Sequence, residues 1–122
     1  MDYFSRVAYV FTLVGRMIES DIEKLILNWL NKNGIFAWKC KTMGTYDAKI
    51  GGYRKPGKFS LNGVSDILGV LPNGQFLAIE VKTKTGRPSI EQKAFIKKVN
   101  KQGGKAFVAR SIKDVQNGLD EK

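Results

Sequence analysis

One short run limits the possible folds of this chain more than any other. Gly74 to Lys84 reads Gly-Gln-Phe-Leu-Ala-Ile-Glu-Val-Lys-Thr-Lys. Phe76 to Ile79 are apolar and too few for a typical helix, and the Pro72-Asn73-Gly74 turn signal opens them, so they read as a buried strand. The run ends in Glu80-Val81-Lys82. Side chains alternate along a strand, so Glu80 and Lys82 leave one face while Val81 leaves the other. A carboxylate and an ammonium at the end of an apolar strand are costly to desolvate unless they pair or hold something. Upstream, Val64 to Leu71 forms a second apolar stretch with one acid, Asp66, near its start. A turn at Pro72–Gly74 makes these two strands a hairpin that brings Asp66 close to Glu80. Two acids and a lysine at a strand end are a site for a hard cation.

The rest of the composition narrows the chemistry. At 122 residues the chain is one domain able to hold its own core. With no histidine and only Cys40, disulfides, the usual zinc sites and a histidine base are excluded. Oxygen donors alone select Mg²⁺ or Mn²⁺. The net charge is +10 and is clustered: residues 39–58 carry +5 and residues 82–105 carry +7. Two dense basic windows flanking a carboxylate pair favour a nucleic-acid partner over a merely solvated surface.

Residues 1–16 hold a short apolar run, Val7 to Val14. It is far below the roughly 18 residues of a membrane span. Asp2 in the would-be basic region and the lack of a small-x-small cleavage site speak against its being a signal peptide. It reads as an N-terminal extension covering the core or a partner subunit, with residues 17–122 as the domain and Met17 as an alternative start. Ser20-Asp21-Ile22-Glu23 has the capping-box form, with Glu19 just ahead of it. Ile22, Leu25, Ile26, Trp29 and Leu30 follow on one helical face, and Asn33-Gly34 stops the helix. Ile35 to Lys41 alternates as a strand, with Trp38 and Cys40 expected in the core. From Thr42 to Asn62 no period is sustained. Tyr46, Lys49, Tyr53, Arg54 and Lys58 interleave rings with cations there, a composition suited to phosphates and bases. Ser89-Ile90-Glu91-Gln92 repeats the capping box, opening a helix to about Gln102 with Ile90, Ala94, Phe95 and Val99 inward. Ala106 to Ala109 is a further strand, and strand–helix–strand implies a parallel crossover. Ser111 caps a last helix to about Leu119.

Gly63-Val64-Ser65-Asp66-Ile67-Leu68-Gly69, Glu80-Val81-Lys82, and Gly86-Arg87-Pro88-Ser89 with Gln92 together resemble the virus-type replication-repair nuclease (VRR-NUC) family of the PD-(D/E)XK superfamily. The similarity runs from about Met17 to Leu119 and includes Gly34 to Trp38 and Gly103-Gly104. It implies an α/β, restriction-endonuclease-like core, α-β-β-β-α-β, with a mixed central sheet flanked by helices. It also implies roles. Asp66 and Glu80 match the metal carboxylates, the backbone carbonyl of Val81 a further ligand, and Lys82 the catalytic lysine. Gln92 matches a glutamine near the active centre, although its place in a capping box would explain it alone. Glu19 matches the acid at the start of the first helix and a further possible ligand. Ser65 stands where the superfamily name has proline, and Lys39 to Thr42 carries lysines where many relatives have asparagines. The resemblance implies a Mg²⁺- or Mn²⁺-dependent DNA endonuclease acting on branched DNA such as four-way (Holliday) junctions in replication and repair. It further implies a homodimer without membrane attachment, in the cytoplasm of a bacterium or of a virus's host. Lys39, Lys41, Lys84 and Arg87 join the ring-and-cation segment as expected DNA contacts. The alternatives are a non-catalytic nucleic-acid-binding module and a nuclease acting on RNA.

Overall fold

A computed structural model describes residues 17–40, 46–53 and 60–120. Helix α1 spans Glu19–Lys32, strand β1 Phe36–Lys39, β2 Tyr46–Asp47, β3 Gly52–Tyr53, β4 Ile67–Val70 and β5 Phe76–Val81. Helix α2 (Ile90–Lys101), strand β6 (Lys105–Ala109) and helix α3 (Ile112–Asp120) complete the described chain. Four strands form one mixed sheet in the order β1-β4-β5-β6, in which only β5 and β6 run parallel. This is the expected mixed sheet flanked by helices. The hairpin between β4 and β5 closes as its residues predict. Leu71 N donates to Gln75 O at 2.8 Å, and Gly74 takes φ 87°, a backbone state that favours glycine.

Strand alternation divides the sheet into two unlike faces. On one, Ile67, Leu77, Ile79, Val81 and Ala109 meet Ile22, Ile26 and Leu30 of α1 and Val115 of α3 in a single aliphatic cluster. Each fully buried aliphatic side chain there contributes about 1.5–3 kcal/mol relative to exposure. On the other face lie Phe76, Ala78 and Glu80, with α2 packed across β5 and β6. The β5–α2–β6 connection is pinned at its end by Asn100, whose amide accepts from Ala106 N at 2.8 Å and donates to Ala106 O at 2.9 Å.

Several expectations are corrected. Helix α1 starts at Glu19 with Ile18 in the cap position and no side-chain cap bond, so Ser20 lies inside the first turn and forms no capping box. Glu23 instead accepts an ion pair from Lys39 at 3.4 Å. Leu25 lies on the exposed side of α1, while Ile22, Ile26 and Leu30 carry its contact. Trp38 is 39% and Phe36 69% exposed, and Cys40 is half-buried. Ile35 and Ala37 fill the core side of β1, and strand parity sends its larger aromatics the other way. No residue of α2 is buried: Ile90 and Ala94 are exposed, and Phe95 and Val99 are half-buried. Within the aperiodic segment, β2 and β3 pair as a small antiparallel ribbon, Tyr46 opposite Tyr53, too short for any period to reveal.

Candidate active site

Asp66 sits one residue before β4 and is held from two sides. Its carbonyl accepts from Cys40 N at 2.7 Å, and its Oδ2 accepts from Val81 N at 2.9 Å. The carboxylate thus occupies the place of the next ladder partner at the end of β5. A strand residue's N–H and C=O leave by the same edge, so the Val81 carbonyl faces Asp66 as well. The Val81 side chain is wholly buried on the opposite, aliphatic face and locks this register.

Glu80 comes from the next position and points to the α2 face, 1% exposed. Its Oε1 accepts from Gln92 Nε2 at 2.7 Å and lies 3.6 Å from Lys82 Nζ. Its Oε2 is buried with no hydrogen-bond partner. Loss of solvent, and then the neighbouring Asp66 carboxylate, push the Glu80 carboxyl up to about 8, the Lys82 ammonium opposing them only in part. Around neutral pH the pair therefore keeps a proton that a divalent cation would replace. The all-oxygen donor set and the orphaned Oε2 fit such an ion. Among the described residues no three acidic or thiol groups converge, and the third acid, Glu19, is turned to Lys82 Nζ at 3.7 Å.

Gln92 serves two purposes at once. Its Oε1 accepts from Ser89 N at 2.7 Å while Ser89 Oγ accepts from Gln92 N at 3.1 Å, a complete capping box. The other end of the same amide reaches Glu80. The two readings of this residue are one geometry. Gly63 makes the approach possible: a Cβ there would lie 2.4 Å from the backbone of Glu91, so the segment leading to Asp66 can press against the start of α2 only as glycine.

Two further groups surround the pair, and of these Arg110 carried no signal in the sequence. Arg110 Nη2 donates to Gly86 O at 2.8 Å, and its backbone N–H is accepted by Asp114 Oδ2 at 2.8 Å, bracing the loop that follows Lys82. Ser65 Oγ is buried beside Asp66 without a partner. Of the expected DNA contacts, Lys84 and Arg87 are exposed on that braced loop. Lys49 and Tyr53 are exposed at the small ribbon, and Lys39 is engaged with Glu23. Lys41, Arg54, Lys58 and the Tyr46 side chain lie outside the described residues, as does the 1–16 extension.

A family model of the VRR-NUC domain matches residues 17–113. The chain belongs to the VRR-NUC family. The resemblance read from its motifs is thereby borne out. Two solved structures described as a VRR_NUC domain and a VRR_NUC domain protein are similar, with TM-scores of 0.58 and 0.57 and identities of 22% and 18%. Each likeness covers 84% of this chain, and 95% and 85% of the respective neighbour. At those identities the likeness is one of fold, and it agrees with the restriction-endonuclease-like sheet. No match is found among curated proteins. Family membership makes this VRR-NUC domain nuclease-related. No described helix is long and apolar enough to cross a membrane.

Proposed function

We infer that this VRR-NUC domain is a Mg²⁺- or Mn²⁺-dependent endonuclease that hydrolyses phosphodiester bonds in DNA. The observation carrying this reading is the Asp66–Glu80 pair, with an unsatisfied buried oxygen on Glu80 and the Lys82 ammonium 3.6 Å from its partner oxygen. Asp66, Glu80 and the Val81 carbonyl would hold the ion. When bound, it would neutralise phosphate charge and lower the pKa of a water. The protein's own part is positional and electrostatic. Val81 N–H fixes the Asp66 rotamer, Gln92 fixes that of Glu80, and Lys82 is the donor for charge that develops on phosphate oxygens. Glu19, 3.7 Å from the Lys82 ammonium, helps to aim it.

Exposed Lys84 and Arg87, on the loop braced by Arg110, suit contact with the phosphates on either side of the cut. Lys49 and Tyr53, exposed at the small ribbon, are further candidate DNA contacts. The substrate we assign is branched DNA, four-way junctions included, cut by a homodimer whose two-fold axis would place one site on each of two strands. The family resemblance and the clustered charge support this assignment.

The test is incubation of the full chain with labelled duplex, flap and four-way-junction DNA and with structured RNA, with Mg²⁺, Mn²⁺ or EDTA. Metal-dependent cutting of DNA that is lost in Asp66→Asn, with DNA binding kept, is the expected result. Cutting by Asp66→Asn at the wild-type rate, or no cutting of any substrate with either metal, removes the reading. Cutting confined to RNA reassigns the substrate.

A further inference from the structure

The face of the sheet that carries the acid pair also carries an open row of aromatic side chains. Trp38 is opposite Leu68, and Leu68 is opposite Ala78; Phe36 is opposite Val70, and Val70 is opposite Phe76. Directly paired residues share a face, so Phe36, Trp38, Val70 and Phe76 all leave the side from which Glu80 projects. Among the described residues, helix α2 covers β5 and β6 on this side and no element is packed over β1 and β4. Phe36 is 69%, Trp38 39% and Val70 37% exposed. The two rings of β1 pack against each other, centroids 5.0 Å apart and tilted by 47°. Counting rows from the acids, Cys40 and Asp66 stand beside Glu80, Trp38 is one row on and Phe36 two. At two residues per row this is about 7 and about 14 Å along the strand.

Successive phosphates of a nucleic-acid strand are separated by about one such row, roughly 6–7 Å when the strand is extended. Trp38 also lies one strand, about 5 Å, to the side of Asp66, so a nucleic-acid strand that crosses the sheet from the acids towards β1 would bring a neighbouring base over Trp38. Charge selects the occupant. The chain carries +10, and the connection leaving β1 after Cys40 holds five cations against Asp47, a balance that suits a polyanion. An open pair of rings on the same sheet face as the acid pair and Lys82 suits the π-face of a base.

We propose that Trp38, backed by Phe36, is a stacking platform for an unpaired DNA base next to the scissile phosphate, and so sets a preference for DNA with unpaired nucleotides at the cut. A base held within a duplex has no free face to offer. This rests on the nuclease reading for the position of the cut, but the stacking itself does not need catalysis.

The test measures binding of the full chain, in EDTA, to a fluorescein-labelled duplex with a single-stranded flap and to the fully paired duplex of equal length. Trp38→Leu keeps an apolar side chain without a ring, and Trp38→Phe keeps a ring. Loss of one base–ring stack weakens flap binding by about tenfold in Trp38→Leu. Trp38→Phe recovers most of it, and paired-duplex binding stays within about twofold. Matching thermal melts exclude misfolding, and if Trp38→Leu melts early, Phe36→Leu, at the more exposed ring, carries the same comparison. Equal losses on both DNAs, or none, overturn the platform. So does sedimentation showing that Trp38→Leu turns a dimer into monomers, which would make this face a protein interface. Cutting assays with Mn²⁺ separate the two claims. Ring-dependent flap binding without any cutting sinks the nuclease reading alone, whereas cutting indifferent to the ring sinks the platform alone.

Discussion

The two faces of the sheet are built from the same strands and obey different rules. Strand β5 sends Leu77, Ile79 and Val81 into a dry aliphatic cluster under α1 and α3, and sends Phe76, Ala78 and Glu80 to the side where α2 lies. The first face is a closed aliphatic cluster, with the buried Ser65 hydroxyl at its edge. The second leaves a carboxyl oxygen without a partner, two rings half-open, and a groove of about 580 Å³ between Leu61, Phe76, Phe95 and Val99. Stability is concentrated on one face, and the acid pair and the open rings are gathered on the other. That partition is expected if binding, not folding, completes the second face.

The sharpest way to break the comparison is to exchange effects between faces. Lys82→Ala should lower the cutting rate on the order of 10²–10³-fold, the scale of losing one preorganised donor to developing charge. Its DNA affinity should change far less. Ile79→Ala, one position from Glu80 but facing the cluster, should cost about 2–5 kcal/mol in urea unfolding. Phe76→Ala, 39% exposed on the other face, should cost less than half of that. A Phe76→Ala cost as large as that of Ile79→Ala would show that the second face is a core too.

Acidity distinguishes the faces next. The Glu80 carboxyl holds its proton up to about 8 in the folded chain, against 4.5 when unfolded. The folded state then binds more protons between those values, so this group's contribution is fully present below about pH 4.5 and is lost as pH rises through about 8. In EDTA, Tm should fall across that window, and Glu80→Gln should flatten the fall. Mn²⁺ at pH 8 should raise the wild-type Tm and leave Glu80→Gln nearly unmoved. A wild-type Tm that rises steadily from pH 5 to pH 8 without metal would contradict the protonated pair.

How far the sequence revealed this division depends on what each residue had to say locally. Strand parity alone places Glu80 and Lys82 on one face and Val81 on the other, and the turn at Pro72–Gly74 alone sets Asp66 opposite Glu80. Those are short-range rules that tertiary context seldom overturns. The capping box at Ser89 was legible for the same reason, whereas the similar string at Ser20 failed. Helix α1 begins at Glu19, so Ser20 is already inside the helix and Glu23 is taken by Lys39. Trp38 misled because an aromatic in a strand normally seeks the core. Only the placement of Ala37 against the cluster shows that the parity of β1 runs the other way. The braces from Arg110 and the close approach at Gly63 depend on elements far apart in sequence, and no local pattern announces them.

Gln92 and Ser89 test whether one amide truly serves both purposes. Ser89→Ala should cost about 0.5–2 kcal/mol, as a lost helix cap does, with cutting largely retained. Gln92→Ala removes the reciprocal half of the same cap and also frees Glu80 Oε1. It should show a comparable stability loss together with a fall in cutting rate of about 10–100-fold, the range for removing a group that orients a metal ligand. Equal cutting by the two variants would reduce Gln92 to a helix cap.

The smallest effect expected concerns Lys39, which stands at the edge between the faces. Its ammonium pairs with Glu23 at 3.4 Å, but 62% of the lysine side chain is exposed, against 10% of the glutamate's. Exposed pairs of this kind contribute about 0–1 kcal/mol, because solvent screens them and a long side chain must be held still. Lys39→Ala should therefore shift stability by no more than about 1 kcal/mol. Its effect on DNA binding decides which partner the ammonium serves. If Glu23 keeps it, the dependence of DNA affinity on salt is unchanged. If DNA takes it, the slope of log affinity against log salt falls by about one counterion. In that case Glu23→Gln, which releases the lysine, should tighten DNA binding slightly while leaving the cutting rate of bound substrate alone. At Lys39 the charge that pairs with helix α1 and the charge a nucleic acid would use therefore compete directly.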